Sequence, residues 1–272
     1  MQGRKRNMII DFHTHGKLTK TLPFSTEYTD WMVKEAYQAG LDAICLTEHF
    51  DTLQFDELYG YLMKTCTREG DTLVTKDGLR IIAGMETDIA EGGHILTLGT
   101  PEIMLELNDR LEPYKKKENF LPFEKLMDLF GEYPIIVGGA HPYRKGVHVP
   151  ELPLEQLKRL QFIDLNGKDV AGDRIYIEKA TSALAQQLHV PMIGGSDTHL
   201  PMQYGCICTK FEKTVKSVAA LYHEMQHGDY EIIISENVSF QVKTADLLKK
   251  ALREIHALGG DYVSLLIRQT TE

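Results

Sequence analysis

The sequence predicts a single α/β domain built as a barrel or barrel-like sheet. Three observations carry that expectation. Strand-like and helix-like segments alternate six or seven times along the 272 residues, the pattern of a mainly parallel α/β fold. No Pro-, Gly- or Ser-rich linker and no internal repeat divides the chain, and its length suits one α/β barrel. Histidines and carboxylates recur at the ends of separate apolar runs, where a barrel gathers them at one face.

Each element has its own signal. Residues 8–12 are a short apolar run. A helix is expected over 26–39, with Gly40 in a C-terminal capping position. AICLT at 43–47 reads as a buried strand, and 55–68 as a helix. Strands are expected at 79–83 and 94–98. A helix at 122–130 has Pro122 near its start and Gly131 just past its end. Further apolar runs lie at 135–137, 162–165 and 192–193, with a helix over 173–188 between the last two. A helix over 215–227, a late strand over 231–235 and a helix over 245–257, with Thr244 as a possible cap, complete the order. Residues 7–240 are therefore expected to form the barrel, and 241–272 a helical extension packed on the same domain.

Hydrophobic residues make up 43% and charged residues 25%, which excludes disordered, collagen-like and disulfide-framework classes. Thirty Lys and Arg oppose 39 Asp and Glu, a formal net charge of −9 that repels nucleic-acid phosphates and anionic lipid on average. Cys45, Cys66, Cys206 and Cys208 include no CxxC pair, so reduced thiols are expected. The basic N-terminal residues lead into no signal-peptide apolar run, and no run approaches the roughly 20 residues that span a bilayer. A soluble, cytoplasmic protein without a membrane partner is expected.

Six segments place ligand-type side chains at or beside strand ends. His13 and His15 form HxH, and residues two apart on a strand share a face. Thr47-Glu48-His49 follows AICL, Glu86 lies in GMETD, and His94 opens a strand. His141 follows VGGA, and Asp197 and His199 lie in SDTH. Eight nitrogen and oxygen donors exceed one tetrahedral site, so two or three divalent ions are implied. Imidazole and carboxylate without thiolate suit Mn, Fe or Zn. Glu86, with two oxygens, is the natural bridge between two ions, and bridged ions about 3.5–4 Å apart can hold a hydroxide near neutral pH. The other five histidines read as ordinary surface or core residues.

In this order, DFHTH, TEH, GMETD, AHP and SDTH resemble the motifs of the polymerase and histidinol phosphatase (PHP) family, from about residue 8 to 236. The resemblance implies a distorted, TIM-like seven-stranded barrel and a two- or three-metal centre for phosphoester hydrolysis. It implies a first metal on His13, His15 and Asp197, with Glu86 bridging. A second would sit on Glu86, His94 and His141, and a third on His49 and His199. Glu86, Asp197 and His199 are the expected catalytic residues. The sequence departs from the family in the loop after HxH, which offers Lys17 and Lys20 where relatives place an Asp or His. One of these ammonium groups is expected to supply charge in place of a third ion.

Arg144, three residues after His141, is the first candidate for phosphate contact, with Lys20 second and Lys145 third, and Lys17 is a further substrate-binding candidate. Asn166 and Lys168 are candidates for the pocket rim. The acidic charge and the lack of a basic stripe favour a small phosphorylated substrate over long nucleic acid. The expected reaction is histidinol-phosphatase-like hydrolysis of a phosphate monoester. The alternatives are a phosphodiesterase or exonuclease acting on nucleotides, a catalytically silent metal-binding module, and an amidohydrolase-type barrel, which TEH, GMETD and SDTH fit poorly.

Overall fold

The structure, a computed structural model, describes residues 7–227 and 229–267. The expected extension's residues 268–272 lie outside that range. In chain order the first elements are β1 (Met8–Thr14), α1 (Thr26–Gln38), β2 (Ala43–His49), α2 (Phe55–Thr65), β3 (Thr67–Glu69), β4 (Thr72–Val74), β5 (Arg80–Asp88) and β6 (His94–Gly99). Then follow α3 (Pro101–Arg110), α4 (Phe123–Phe130), β7 (Ile136–Ala140), the short α5 (Leu154–Leu157), β8 (Phe162–Asn166), the short α6 (Gly167–Val170) and α7 (Arg174–Leu188). The chain ends in β9 (Met192–Gly195), β10 (Ile207–Phe211), α8 (Val218–His227), β11 (Tyr230–Ile234), α9 (Val238–Ala257) and α10 (Tyr262–Ile267).

The strands lie in the order β11-β10-β1-β2-β5-β6-β7-β8-β9, with the β3–β4 hairpin off this path. The path is nearly closed. Past the point where β1 leaves β10, its end meets the end of β9: His15 N donates to Thr198 O (2.9 Å), and Asp197 N donates to His13 O (2.7 Å).

Two expectations need correction. Nine strands line the path where the resemblance implied seven; the apolar runs of the sequence mark eight of them, and only β10 is missed, because its short polar-apolar ICTKF carries little apolar signal. The sheet is also mixed. Four neighbouring pairs on the path are parallel and four antiparallel. The reversal around β6 has a simple cause. Only residues 89–93 join β5 to β6, too few for a crossover helix, and Gly92 (φ +89°) and Gly93 (φ +139°) make the turn.

Both sheet faces are buried, so the strands read as near-continuous apolar runs. Ile10, Phe12, Cys45, Ile82, Leu96 and Phe162 form the inner cluster. Ile44, Leu46, Ile81 and Ile163 join an outer one with Met32 of α1, Leu58 of α2 and Leu184 of α7. Helix α9 starts earlier than expected, so a boundary at 240/241 falls within its first turn. It packs against α6 and the turn after His199, where Ser239 Oγ donates to Ala171 O and Gln241 Nε2 to Met202 O. Among the described residues, no helix is long and apolar enough to cross a membrane.

Candidate metal centre

Strand direction and one irregularity bring the ligand-type residues to one mouth. β1, β2, β5 and β9 end there. β6 runs the other way, so its first residue, His94, lies opposite the last residue of β5, Asp88. β1 needs a further device. Ile10 and Phe12 point into the inner cluster, so strict alternation would turn His13 outward. The pairing of β1 with β2 slips between Asp11 and Thr14, and such a slip re-aims the side chains that follow. His141 (φ +29°) and Asp197 (φ +55°) hold left-handed backbone, a conformation rare in non-glycine residues and one that accumulates at functional sites. A Cβ at Gly195 would stand 2.5 Å from His13 Cβ, so glycine there permits the close approach of β9 to β1.

Glu86 is the hub. Its Oε2 lies 3.4 Å from His13 Nε2, 3.5 Å from His15 Nε2 and 3.1 Å from His49 Nδ1. Its Oε1 lies 2.7 Å from His94 Nδ1 and 3.0 Å from His141 Nε2. Asp197 Oδ1 stands 3.3 Å from His15 Nε2 and 3.6 Å from His199 Nε2. All eight expected ligands are thus brought together. They fall into overlapping groups whose donor atoms lie within 4.8 Å of one another: His13, His15 and Asp197; Glu86, His94 and His141; and His15, His49 and His199. A fourth group, His49, Asp51 and Asp88, was not foreseen.

The donor set fits divalent cations. His13 Nε2, both ring nitrogens of His15, His49 Nδ1 and Glu86 Oε2 are buried without a hydrogen-bond partner. Buried polar atoms left this way need a ligand. Burial holds three imidazoles in the neutral form a metal requires, whereas at His13, His15 and His94 the surrounding carboxylates outweigh burial and raise the pKa in the metal-free protein. Burial, partly offset by Glu86, lowers His49 to about 4. Burial together with Arg144 pushes His141 well below the usual histidine range, and burial together with Lys249 does the same to His199. Burial opposes ionisation of the acids but is outweighed. His94, His49 and His13 hold Glu86 well below the usual carboxylate range, and Lys168 and Arg144 do so for Asp197.

A supporting layer orients these ligands. His13 Nδ1 and Asp164 Oδ2 are 3.0 Å apart, and Asn166 Nδ2 also donates to that oxygen (2.9 Å). Glu48 Oε1 lies 3.5 Å from His15 Nδ1, and Glu48 Oε2 accepts from Gly16 N. His199 Nδ1 is 3.0 Å from Lys17 O. A carbonyl only accepts, so the proton sits on Nδ1 and Nε2 presents its lone pair towards Asp197. Asp11 Oδ1 accepts from Ser196 N and ties β1 to β9.

Of the expected anion-binding residues, Arg144 is at the mouth, with Nη1 2.8 Å from Asp197 Oδ2 and further bonds to Asp169 and Asn166. Lys168 Nζ lies 2.8 Å from Asp197 Oδ1. Lys20 Nζ lies 2.6 Å from Asp51 and 4.0 Å from Asp88. Lys17 is not among them: its side chain donates to the Leu53 carbonyl, and only its backbone serves the site. Asp164, Asp51 and Asp88 were missed as participants. Asp164 had a readable signal, an acid two residues after the inward Phe162 of a buried strand.

Asp164→Asn is expected to lower metal affinity about tenfold to a hundredfold, the usual cost of losing a carboxylate that orients a metal-binding histidine. Competition titration against a chelating dye, with circular dichroism as the fold control, reads this. Unchanged affinity would make the contact to His13 incidental.

Residues 11–129 match the family described as PHP domain, and residues 179–230 one described as PHP-associated. The first span holds His13, His15, His49, Glu86 and His94, and the second Asp197 and His199. No curated protein matches the sequence. Among solved structures, PsfC from Pseudomonas syringae PB-5123 is 20% identical, with TM-score 0.74 over 90% of this chain and 99% of that one. The lesion-specific endonuclease PfuEndoQ from Pyrococcus furiosus is 18% identical, with TM-score 0.61 over 84% of this chain and 58% of that one. At these identities the likeness is one of fold.

Proposed function

Because the chain belongs to the PHP family of metal-dependent phosphoesterases, we propose that it hydrolyses a small phosphate monoester in the cytoplasm, using two divalent ions. The carrying observation is the position of Glu86, with three imidazoles about one oxygen and two about the other. That division suits a carboxylate shared by two ions. His13, His15 and Asp197 would complete one ligand set, and His94 and His141 the other. Bound there, Mn, Zn or Fe(II) supplies Lewis acidity and a water-derived nucleophile.

The chain's own groups do the rest. Arg144 presents charged N–H groups at the mouth, suited to hold phosphate oxygens against the site. His199, with its proton on Nδ1 and its pKa pushed down by burial, suits a ligand's role better than that of proton donor to the leaving group. Lys20, beside Asp51 and Asp88, stands in for a third ion by neutralising that acidic pair. The four cysteines are unpaired, which accords with a reducing compartment.

The test is a panel of monoesters and diesters run with Mn, Zn or Fe(II), alongside elemental analysis. The expected result is monoester turnover that chelation abolishes and re-addition of metal restores, with two tightly held ions per chain. Three tightly held ions would remove Lys20 from its role. Preferential turnover of bis(p-nitrophenyl) phosphate or short oligonucleotides would replace the monoesterase reading with that of a diesterase. Inertness of the loaded protein across the panel would leave a silent metal-binding module.

A further inference from the structure

Helix α9 carries one residue out of keeping with its face. Val238, Val242, Ala245 and Leu252 are buried and follow the i, i+4, i+7, i+14 rhythm of a core-facing stripe. Lys249, at i+11, occupies the same stripe. A residue there is directed towards the structure that α9 covers, which is α6, the carrier of Lys168, and the turn following His199.

The Lys249 side chain is only partly exposed, and among the described residues its ammonium makes no hydrogen bond or ion pair. Its charge is nonetheless felt within the site. It acts on His199, and of the charges around it that of Lys168 is felt most, ahead of each of the opposite charges of Asp197, Glu48 and Asp246. Burial, with Lys168 beside it, lowers Lys249 to about 8. Lys168 is neutralised by Asp197, whose charge is already divided between Lys168 and Arg144. A half-buried ammonium without an acceptor, beside a second one, is an arrangement that an anion completes.

We propose that Lys249 and Lys168 form an anion subsite beside the metal centre, and that the substrate carries a second anionic group, a carboxylate or a further phosphate, which this subsite holds. The proposal rests on the phosphomonoesterase reading for its first anion, since Arg144 and the metal centre take the ester phosphate. The second group then lies towards α9. This makes α9 a determinant of specificity and not only a cover for the barrel.

The experiment compares glycerol 3-phosphate, 3-phosphoglycerate and 2,3-bisphosphoglycerate on the metal-loaded full chain. The wild-type protein is expected to favour one of the latter two over glycerol 3-phosphate by about tenfold or more in kcat/KM, the scale of one charge-assisted contact. Both carry the carboxylate, so equal preference for the two marks the second group as a carboxylate, and preference for 2,3-bisphosphoglycerate over 3-phosphoglycerate marks it as a phosphate. Lys249→Met should erase the preference and Lys249→Glu reverse it. Methionine suits an apolar stripe, so K249M should melt no lower than wild type. Absence of the preference in the wild type, or its survival in K249M, would overturn the proposal. Calorimetric titration with 2,3-bisphosphoglycerate and glycerol 3-phosphate reads the same subsite without turnover. Selective binding that K249M abolishes, in a protein that hydrolyses none of the three, would retain the subsite and refute the monoesterase reading.

Discussion

Glu86→Gln is expected to lower phosphomonoester turnover roughly a thousandfold or more and to reduce the bound metal below two ions per chain. The amide keeps the size of the side chain but has one weakly basic oxygen in place of two anionic ones, so it cannot serve two cations. The surroundings magnify the loss. Glu86 is 1% exposed, and five imidazoles converge on it from β1 and the residue just past it, from β2, from β6 and from the turn after β7. Without its charge, two bound divalent ions would sit among imidazoles in a largely buried site, their mutual repulsion no longer offset by a shared carboxylate. Elemental analysis beside steady-state kinetics separates the two effects. A variant that retains both ions but not turnover would confine Glu86 to the reaction itself. A variant with full activity would end the bridging assignment.

The ligand identities were readable because each motif follows or opens an apolar run, and strand ends in an α/β barrel converge. Their convergence depended on features that local pattern does not carry. His94 opens its strand, so it reaches the common mouth only because β6 is reversed. The five-residue connection at 89–93 was the readable sign of that reversal. His13 enters through a slip in the pairing of β1 with β2, which depends on the partner strand and has no single-sequence signature. Helix α3 is absent from the element order read from the sequence, although Thr100 caps Ile103 N and Pro101 takes the first helical position. Asp51 and Asp88 show the opposite limit. Acids near a mouth are common, and only the fold sets Lys20 against this pair. The Lys249 position was present in the helical periodicity. Its meaning appears only when α9 is seen to cover α6 and the turn after His199.

Asp197→Asn should move metal affinity and anion affinity in opposite directions. In the metal-free protein the Asp197 carboxylate accepts from Arg144 at 2.8 Å and lies 2.8 Å from Lys168 Nζ, so it competes with any incoming phosphate for both cations. Asparagine tolerates the left-handed backbone at this position, so the substitution removes charge without new strain. Arg144 keeps Asp169 and Asn166, whereas Lys168 loses its ion-pair partner. Inorganic phosphate should therefore bind the metal-free variant about tenfold more tightly, the scale of one released charge-assisted contact. Metal affinity should fall, and turnover with it by roughly a hundredfold or more. Stability supplies an independent check. Burial opposes ionisation of Asp197, but Lys168 and Arg144 outweigh it and hold the folded pKa well below its unfolded value. The stability from that ionised carboxylate is present above the unfolded pKa and is lost as pH falls towards the folded one. The metal-free variant should thus unfold more easily than wild type near pH 7, and the gap should narrow as the solution is acidified below the ordinary carboxylate range. Phosphate titration at fixed ionic strength and denaturant melts at two pH values test both limbs. Weaker phosphate binding, or a stability gap that widens in acid, would show that Asp197 does not hold these two cations in check.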